Sequence, residues 1–446
     1  MCERVFRNMC CSCGDVASPM AASPGVDAHN DPQEAAMPRP SHAPAPSHRT
    51  GSHAGTPRSR SRTRRLAPIG AVSLGAVLLL SACAGPEQGA AAAAPELGPV
   101  PDAATALADE SAELAELYEK AVAEGGTLTV WAGGDAPNQQ DALVDAFEKR
   151  FPGVDLDLTV DLSKVHDERI NEQLAEGRVE PDVAMLQTTF DFDDWKERGE
   201  LREFTPLGAE HQLPGYADED GAYLTAMMLG FLPSYAQDEV ETMPTGYGDF
   251  LDEQYDGRLA LTPPHDDDAV LYVYDRIRET YGDGFLAELR DQHPEWVRGT
   301  AAPAAMVGAE GQKAIGNLTA YATAEGDPST AFIPAEDPFL VWTQRAAVFD
   351  KADNPAAGEL FLAYVASAEF QSVQPGWRTR DDLAEPAGLK PLSEYPNTDP
   401  ADFVEWMADR DHVAEVRAEM EEVFGPVTGE SPLTDPRLLR ILGIGS

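Results

Sequence analysis

The stretch TLTVWAGGDAPNQQDALVDAFEKRFPGVDLDLTVDLSKVHDERINEQLAEGRVEPDVAML, residues 127–186, changes its hydrophobic period four times. TLTVWAG reads as a buried strand. DALVDAFEKRFPG then carries Leu143, Val144 and Phe147 on one helical face and ends at Gly153. VDLDLTVDL alternates strictly, as a half-buried strand does. KVHDERINEQLAEGR predicts a second helix and PDVAML a third strand. Strand, helix, strand, helix, strand with short joints is the signature of βαβ units on a parallel sheet, and it assigns the chain to the α/β class.

The same logic extends outward. Upstream, Leu107, Ser111, Leu114, Tyr118 and Ala121 recur at helical spacing, and Gly125-Gly126 stops that helix. Downstream, GRLALTPP (257–264) predicts a strand entering a turn. DDDAVLYVYDRIRETYG (266–282) predicts a helix whose acidic start suits the helix dipole. Residues 357–366 form a compact apolar helix pattern, and 371–446 read as loops and short helices covering the other layers. There is no sequence repeat, and nothing after Cys83 is long and apolar enough to span a bilayer.

Charge and cysteine usage narrow the function classes. The 446 residues carry 33 Lys+Arg against 77 Asp+Glu. Nine of those bases and five of those acids precede residue 84, which leaves 24 against 72, a net charge of −48 on the remainder. Such a surface repels nucleic acid and anionic membranes, so no nucleic-acid partner is expected. Cysteines stand at Cys2, Cys10, Cys11, Cys13 and Cys83 only, so no disulfide pair exists in the body. The Cys-Cys-x-Cys cluster lacks a second pair at zinc-finger spacing. The body holds no G-x-S-x-G elbow, no H-E-x-x-H and no cysteine nucleophile.

Residues 14–57 are rich in Pro, Ser, His and Ala without any hydrophobic period, so 1–57 reads as a disordered extension or an upstream mis-called start. RSRSRTRR (58–65) followed by LAPIGAVSLGAVLLLSA has the order of a secretory signal: basic, apolar, small. Leu80-Ser81-Ala82-Cys83 resembles the bacterial lipobox, which implies that Cys83 is acylated and becomes the first residue of the mature chain. Arg64-Arg65 leaves open Sec or twin-arginine export. Residues 84–103 are expected as a flexible tether holding the body at the outer face of the cytoplasmic membrane.

From about residue 126 to 371 the body resembles the extracellular solute-binding proteins of bacterial ABC importers, in the branch that includes ferric-iron-binding proteins. The motifs are GTLTVWAGGD, DALVDAFEKRFPG, PDVAML, GELREFTP (199–206), QYDGRLALTPP (254–264), AAMVGAEGQKAIG (304–316) and NPAAGELFLAYVASAEFQ (354–371). GWRTRDDLAEPAGLKP (376–391) is similar to the segment that follows in that family. The resemblance implies a type II periplasmic-binding-protein fold, two α/β lobes with a hinge and an interlobe cleft. Lobe one would be 104–232 plus 331–370 and lobe two 233–330, with 371–446 packing across both. It implies a non-enzymatic monomer without a cofactor that passes a small-molecule or chelated-metal ligand to an ABC permease. An extracellular hydrolase or a cell-surface scaffold lipoprotein is the alternative.

Four loops are then expected at the cleft. They offer Gly134 and Asp135 after the first strand, Thr188 and Thr189 after PDVAML, His265 and Asp266 after GRLALT, and Thr300 before the next helix. Iron-binding members show adjacent tyrosines where this chain has NLTAYATAEGDP, with Tyr321 alone between Ala320 and Ala322. A single phenolate anchors a hard trivalent ion poorly. The expected ligand is therefore an oxyanion or an iron or metal chelate, with the metal itself undetermined.

Overall fold

The structure is a computed structural model in which residues 94–308, 313–318 and 329–445 are described. The N-terminal extension, the signal-like segment with Cys83, the first ten residues of the expected tether and Tyr321 lie outside the described residues.

The first lobe begins with α1 (Ala108–Glu124), β1 (Thr127–Gly133), α2 (Asp141–Arg150), β2 (Asp155–Asp161), α3 (Ser163–Ala175), β3 (Val183–Leu186) and α4 (Thr189–Glu197). The alternation read from the sequence maps onto α1 to β3 one for one, while α4 was not read from it. β1 lies parallel between β2 and β3, with Leu128 opposite Leu156 and Trp131 opposite Ala184. β2 is the sheet edge, which is why only its alternate residues look inward. Phe147 and Phe151 from α2 and its cap pack at 4.9 Å between ring centroids, against Phe361 and Tyr364.

Two long strands carry the chain between the lobes. β4 (Leu224–Tyr235) pairs through Phe231 with β9 (Leu340–Val348), and from Leu232 onward with β7 (Ile315–Leu318). The second lobe lies between those strands: β5 (Leu259–Leu261), α5 (Asp268–Tyr281), α6 (Asp283–Asp291), β6 (Glu295–Trp296), α7 (Ala301–Met306), β7 and β8 (Thr330–Ala331). One continuous sheet results, ordered β2-β1-β3-β9-β4-β7-β5-β6, with β8 on β4. Residues 331–339 stay with the second lobe, because Ala331 pairs with Ser234 and the return crossing starts only at Leu340.

After β9 come α8 (Pro355–Ala366) and α9 (Ala368–Gln371), which close the first-lobe core against α1. Then α10 (Pro400–Ala408), α11 (Arg410–Phe424) and α12 (Pro436–Ile441) cover the second lobe. Phe403, Met407, Val413 and Val416 enter one core with Tyr272 and Ile277, while α10 also touches α4 of the first lobe. The intervening segment lies on the crossing strands. Trp377 packs on Gly230, where a Cβ would come within 2.8 Å of the ring, and its indole N–H donates to the Lys390 carbonyl at 3.0 Å.

The distal part of the expected tether is not free. Ala94 and Leu97 pack on the first-lobe core, and the Gly98 N–H and carbonyl bond the Arg150 carbonyl and guanidinium at 2.9 and 2.7 Å. Apolar residues within the Ala/Gly/Pro-rich composition find an apolar seat there, so any leash ends before Ala94. Among the described residues no helix is long and apolar enough to cross a membrane.

Candidate functional site

A cavity of about 290 Å³ lies between the lobes. Its first-lobe wall starts at the turn after β1. Gly134 sits where a Cβ would lie 2.7 Å from both Gln139 Oε1 and Val160 Cγ1, so the turn closes tightly and directs Asp135 outward. Asp135 then crosses the cleft. Its Oδ2 accepts from the Thr300 N–H, from Thr300 Oγ1 at 3.0 Å and from the Ala301 N–H at 3.2 Å. A carboxylate of lobe one thus caps the N-terminus of α7 in lobe two.

A second tie runs from α3. Lys164 Nζ donates to the Asp266 carbonyl at 2.8 Å. The Asp266 carboxylate faces the other way, taking Arg298 Nε and the Gly299 N–H, both at 2.9 Å. A third tie is aromatic: the guanidinium of Arg410 lies 4.6 Å from the Phe190 ring centroid, bringing α11 onto α4. These contacts hold the lobes closed.

At the second-lobe wall, Asp267 caps α5 by accepting from the Val270 N–H at 2.9 Å. Burial pushes its carboxyl up to about 6, with the neighbouring Asp266 and Asp268 adding to the rise. Asp268 accepts from Arg410 at 2.8 Å and from Arg417. Behind Thr188, the carboxyl of Asp191 is 3% exposed. Burial and then the nearby Asp167 raise its pKa to about 8, so it holds a proton at neutral pH.

Of the residues expected at the site, Gly134, Asp135, Thr188, Asp266 and Thr300 line this cavity. Thr189 does not: it is buried in the first turn of α4, and its carbonyl takes Arg345 Nη1 at 2.7 Å. His265 is buried behind the wall, where burial lowers its pKa, and contributes a carbonyl to Arg417 instead of its ring. Tyr321 is outside the described residues. Among the residues missed by sequence are Lys164, Asp167 and Phe190 of the first lobe, Phe231 and Trp342 on the crossing strands, and Phe403, Arg410 and Arg417 from the C-terminal helices. An unbroken apolar strand gives no sign of which side chain forms a cleft floor, and a helix face toward a cleft has the same period as one toward a core.

The acidic run at 265–268 does not converge on a metal. Asp266 is held by Arg298, Asp267 by its helix and Asp268 by two arginines. The only three-residue group of ligating type among the described residues is His211, Asp381 and Asp382, away from the cleft, and there Arg380 already takes both oxygens of Asp382.

Comparison with known proteins gives a consistent picture. The model of a family described as bacterial extracellular solute-binding protein matches residues 128–374. Iron-bound HitA from Pseudomonas aeruginosa is 18% identical over 67% of this chain and 99% of that one, with a TM-score of 0.52. The substrate-binding protein of an ABC transporter from Agrobacterium tumefaciens is 15% identical over 67% and 94%, with a TM-score of 0.57. AfuA from Actinobacillus pleuropneumoniae, with fructose-6-phosphate bound, is 14% identical over 68% and 100%, with a TM-score of 0.54. These share the fold, the type II periplasmic-binding-protein architecture. No curated protein matches.

Proposed function

The chain belongs to the bacterial extracellular solute-binding protein family, and from that premise we propose that it is the lipid-anchored receptor of an ABC importer. It captures one small solute between its lobes and presents the closed form to a permease, tethered through acylated Cys83. The observation that carries this reading is the interlobe cavity closed by Asp135–Thr300, Lys164–Asp266 and Arg410–Phe190. Two lobes joined by strands can part and close by hinge motion, and burial of a ligand in the closed form drives the equilibrium.

A hydrolytic reading finds little support among the described residues. No histidine lines the cavity, and the one serine there, Ser163, accepts from the Gln187 N–H instead of facing a base.

The test is a thermal-shift panel on the purified chain with ferric and other metal salts, citrate chelates, phosphate, phosphonates, carboxylates, polyamines and sugars. A ligand at a thousand times its Kd adds about 4 kcal/mol, a shift of several degrees. One class shifting the melting point while others do not is the expected result. No shift across the panel removes the receptor reading and favours a surface scaffold.

A further inference from the structure

Two of the helix starts at this cleft already carry the protein's own carboxylates. Asp135 fills the start of α7 and Asp267 the start of α5. The cationic side chains are committed as well: Arg410 and Arg417 to Asp268, Lys164 to a carbonyl. Counting Arg298 behind Asp266, four cationic groups meet five aspartates around the cavity. Among the described residues none of Asp135, Asp167 and Asp267 forms an ion pair: Asp135 bonds lobe two through Oδ2 alone, Asp167 accepts from Asn171, and the charge of Asp267 is attracted by Lys164 without a bond between them. Asp267 accepts from its helix through Oδ1, and among the described residues no donor reaches its Oδ2.

Aromatic side chains share the wall. Phe231, Trp342 and Phe403 line the same space, and aromatic faces attract organic cations. Trp342 is 6% exposed, yet its indole Nε1–H has no acceptor among the described residues. A buried donor left without a partner is destabilising, and an acceptor atom on a ligand would satisfy it.

We propose that the cleft takes a small organic ammonium compound carrying a hydrogen-bond acceptor, with its cationic head against Asp267 and the aromatic wall and its acceptor toward Trp342 Nε1. This rests on the receptor reading above and narrows it: the oxyanion expected by resemblance meets occupied donors.

The experiment is titration calorimetry on the full chain at pH 8, with choline, glycine betaine and 1,4-diaminobutane on one side and phosphate, citrate and ferric citrate on the other. Asp267→Asn keeps a helix-capping oxygen while removing the charge, and Trp342→Phe keeps a ring while removing the donor. At least one ammonium compound is expected to bind. Asp267→Asn should weaken it tenfold or more with the unliganded melting point little changed, and Trp342→Phe should weaken the two acceptor-bearing compounds more than the diamine. Binding of the anions alone overturns the ligand class and leaves the receptor standing. Ammonium binding unaffected by either substitution places the ligand elsewhere and overturns the site. No heat from any compound, together with a silent thermal-shift panel, overturns both.

Discussion

Asp135 of the first lobe and Thr300 of the second meet through one carboxylate oxygen, which accepts from both the backbone N–H and the hydroxyl of Thr300. A helix cap is ordinarily local; this one is supplied from across the cleft, so it exists only while the lobes are closed. Capping contributes about 1 kcal/mol, and in a hinged protein that sum falls on the open–closed equilibrium. Asp135→Ala should raise the radius of gyration of the unliganded chain measured by X-ray scattering, and lower its melting point by about 2 °C. A lower melting point with an unchanged radius would reduce Asp135 to an ordinary cap.

Asp191 should make stability fall as pH rises. Its folded pKa of about 8 lies above the usual carboxylate value, chiefly through burial and then through Asp167. Below about pH 4 folded and unfolded forms both hold the proton. Between about 4 and 8 only the folded form does, so stability is lost progressively across that window and the full penalty stands above it. Asp191→Asn mimics the protonated carboxyl and removes the dependence. The melting-point difference, variant minus parent, should grow from pH 5 to pH 9, with a ceiling on the order of 4 kcal/mol, or about 8 °C. A constant difference would mean that Asp191 does not titrate there.

The fold was far more legible than the site. Every element from α1 to β3 followed from period alone, because Leu143 and Phe147 or Leu156 and Leu158 repeat with their own helix or strand. The cleft is made by residues that period cannot single out. Trp342 is one apolar residue in a strand buried throughout its length, and Arg410 belongs to a helix that reads as a cover. The turn positions after β1, β3 and β5 were legible because loops at strand ends must face the crevice in open α/β sheets. Their roles were not. Asp135 and Asp266 serve the other lobe or an arginine, and His265 points into the wall, since partner choice depends on three-dimensional neighbours no spacing encodes.

The GWRTR motif has a physical reason. Arg380 has a side chain with 0% exposure and donates to Glu110 Oε1 at 2.8 Å, to the Ala366 carbonyl at 2.8 Å and to both oxygens of Asp382. It ties the C-terminal segment to α1 and to the end of α8. Arg380→Met would leave Glu110 as a buried, half-paired charge, and breaking such a pair costs about 3–5 kcal/mol. The urea midpoint should fall accordingly. Adding Glu110→Gln should recover part of the loss, because the two substitutions share one interaction. Strict additivity would show that the pair is not coupled.

The anchor can be tested independently of the cleft. The run Leu80-Ser81-Ala82-Cys83 follows a basic and then an apolar segment, and the ordered body packs from Ala94 onward. Ten residues, 84–93, therefore separate the cysteine from the docked chain, and fully extended they reach about 35 Å. On the proposed anchoring, that length would let the first lobe approach a permease in the same membrane while keeping the strongly acidic body clear of anionic headgroups. One acyl chain binds a bilayer only marginally, so retention in membranes through high-salt washing is the outcome expected when Cys83 carries more than one. In a bacterial host, labelled fatty acid should appear on the protein and be lost with Cys83→Ala, which should also move the protein from the membrane fraction to the medium or periplasm while leaving its ligand affinity unchanged. Retention in the membrane after that substitution would assign anchoring to the uncleaved apolar segment instead.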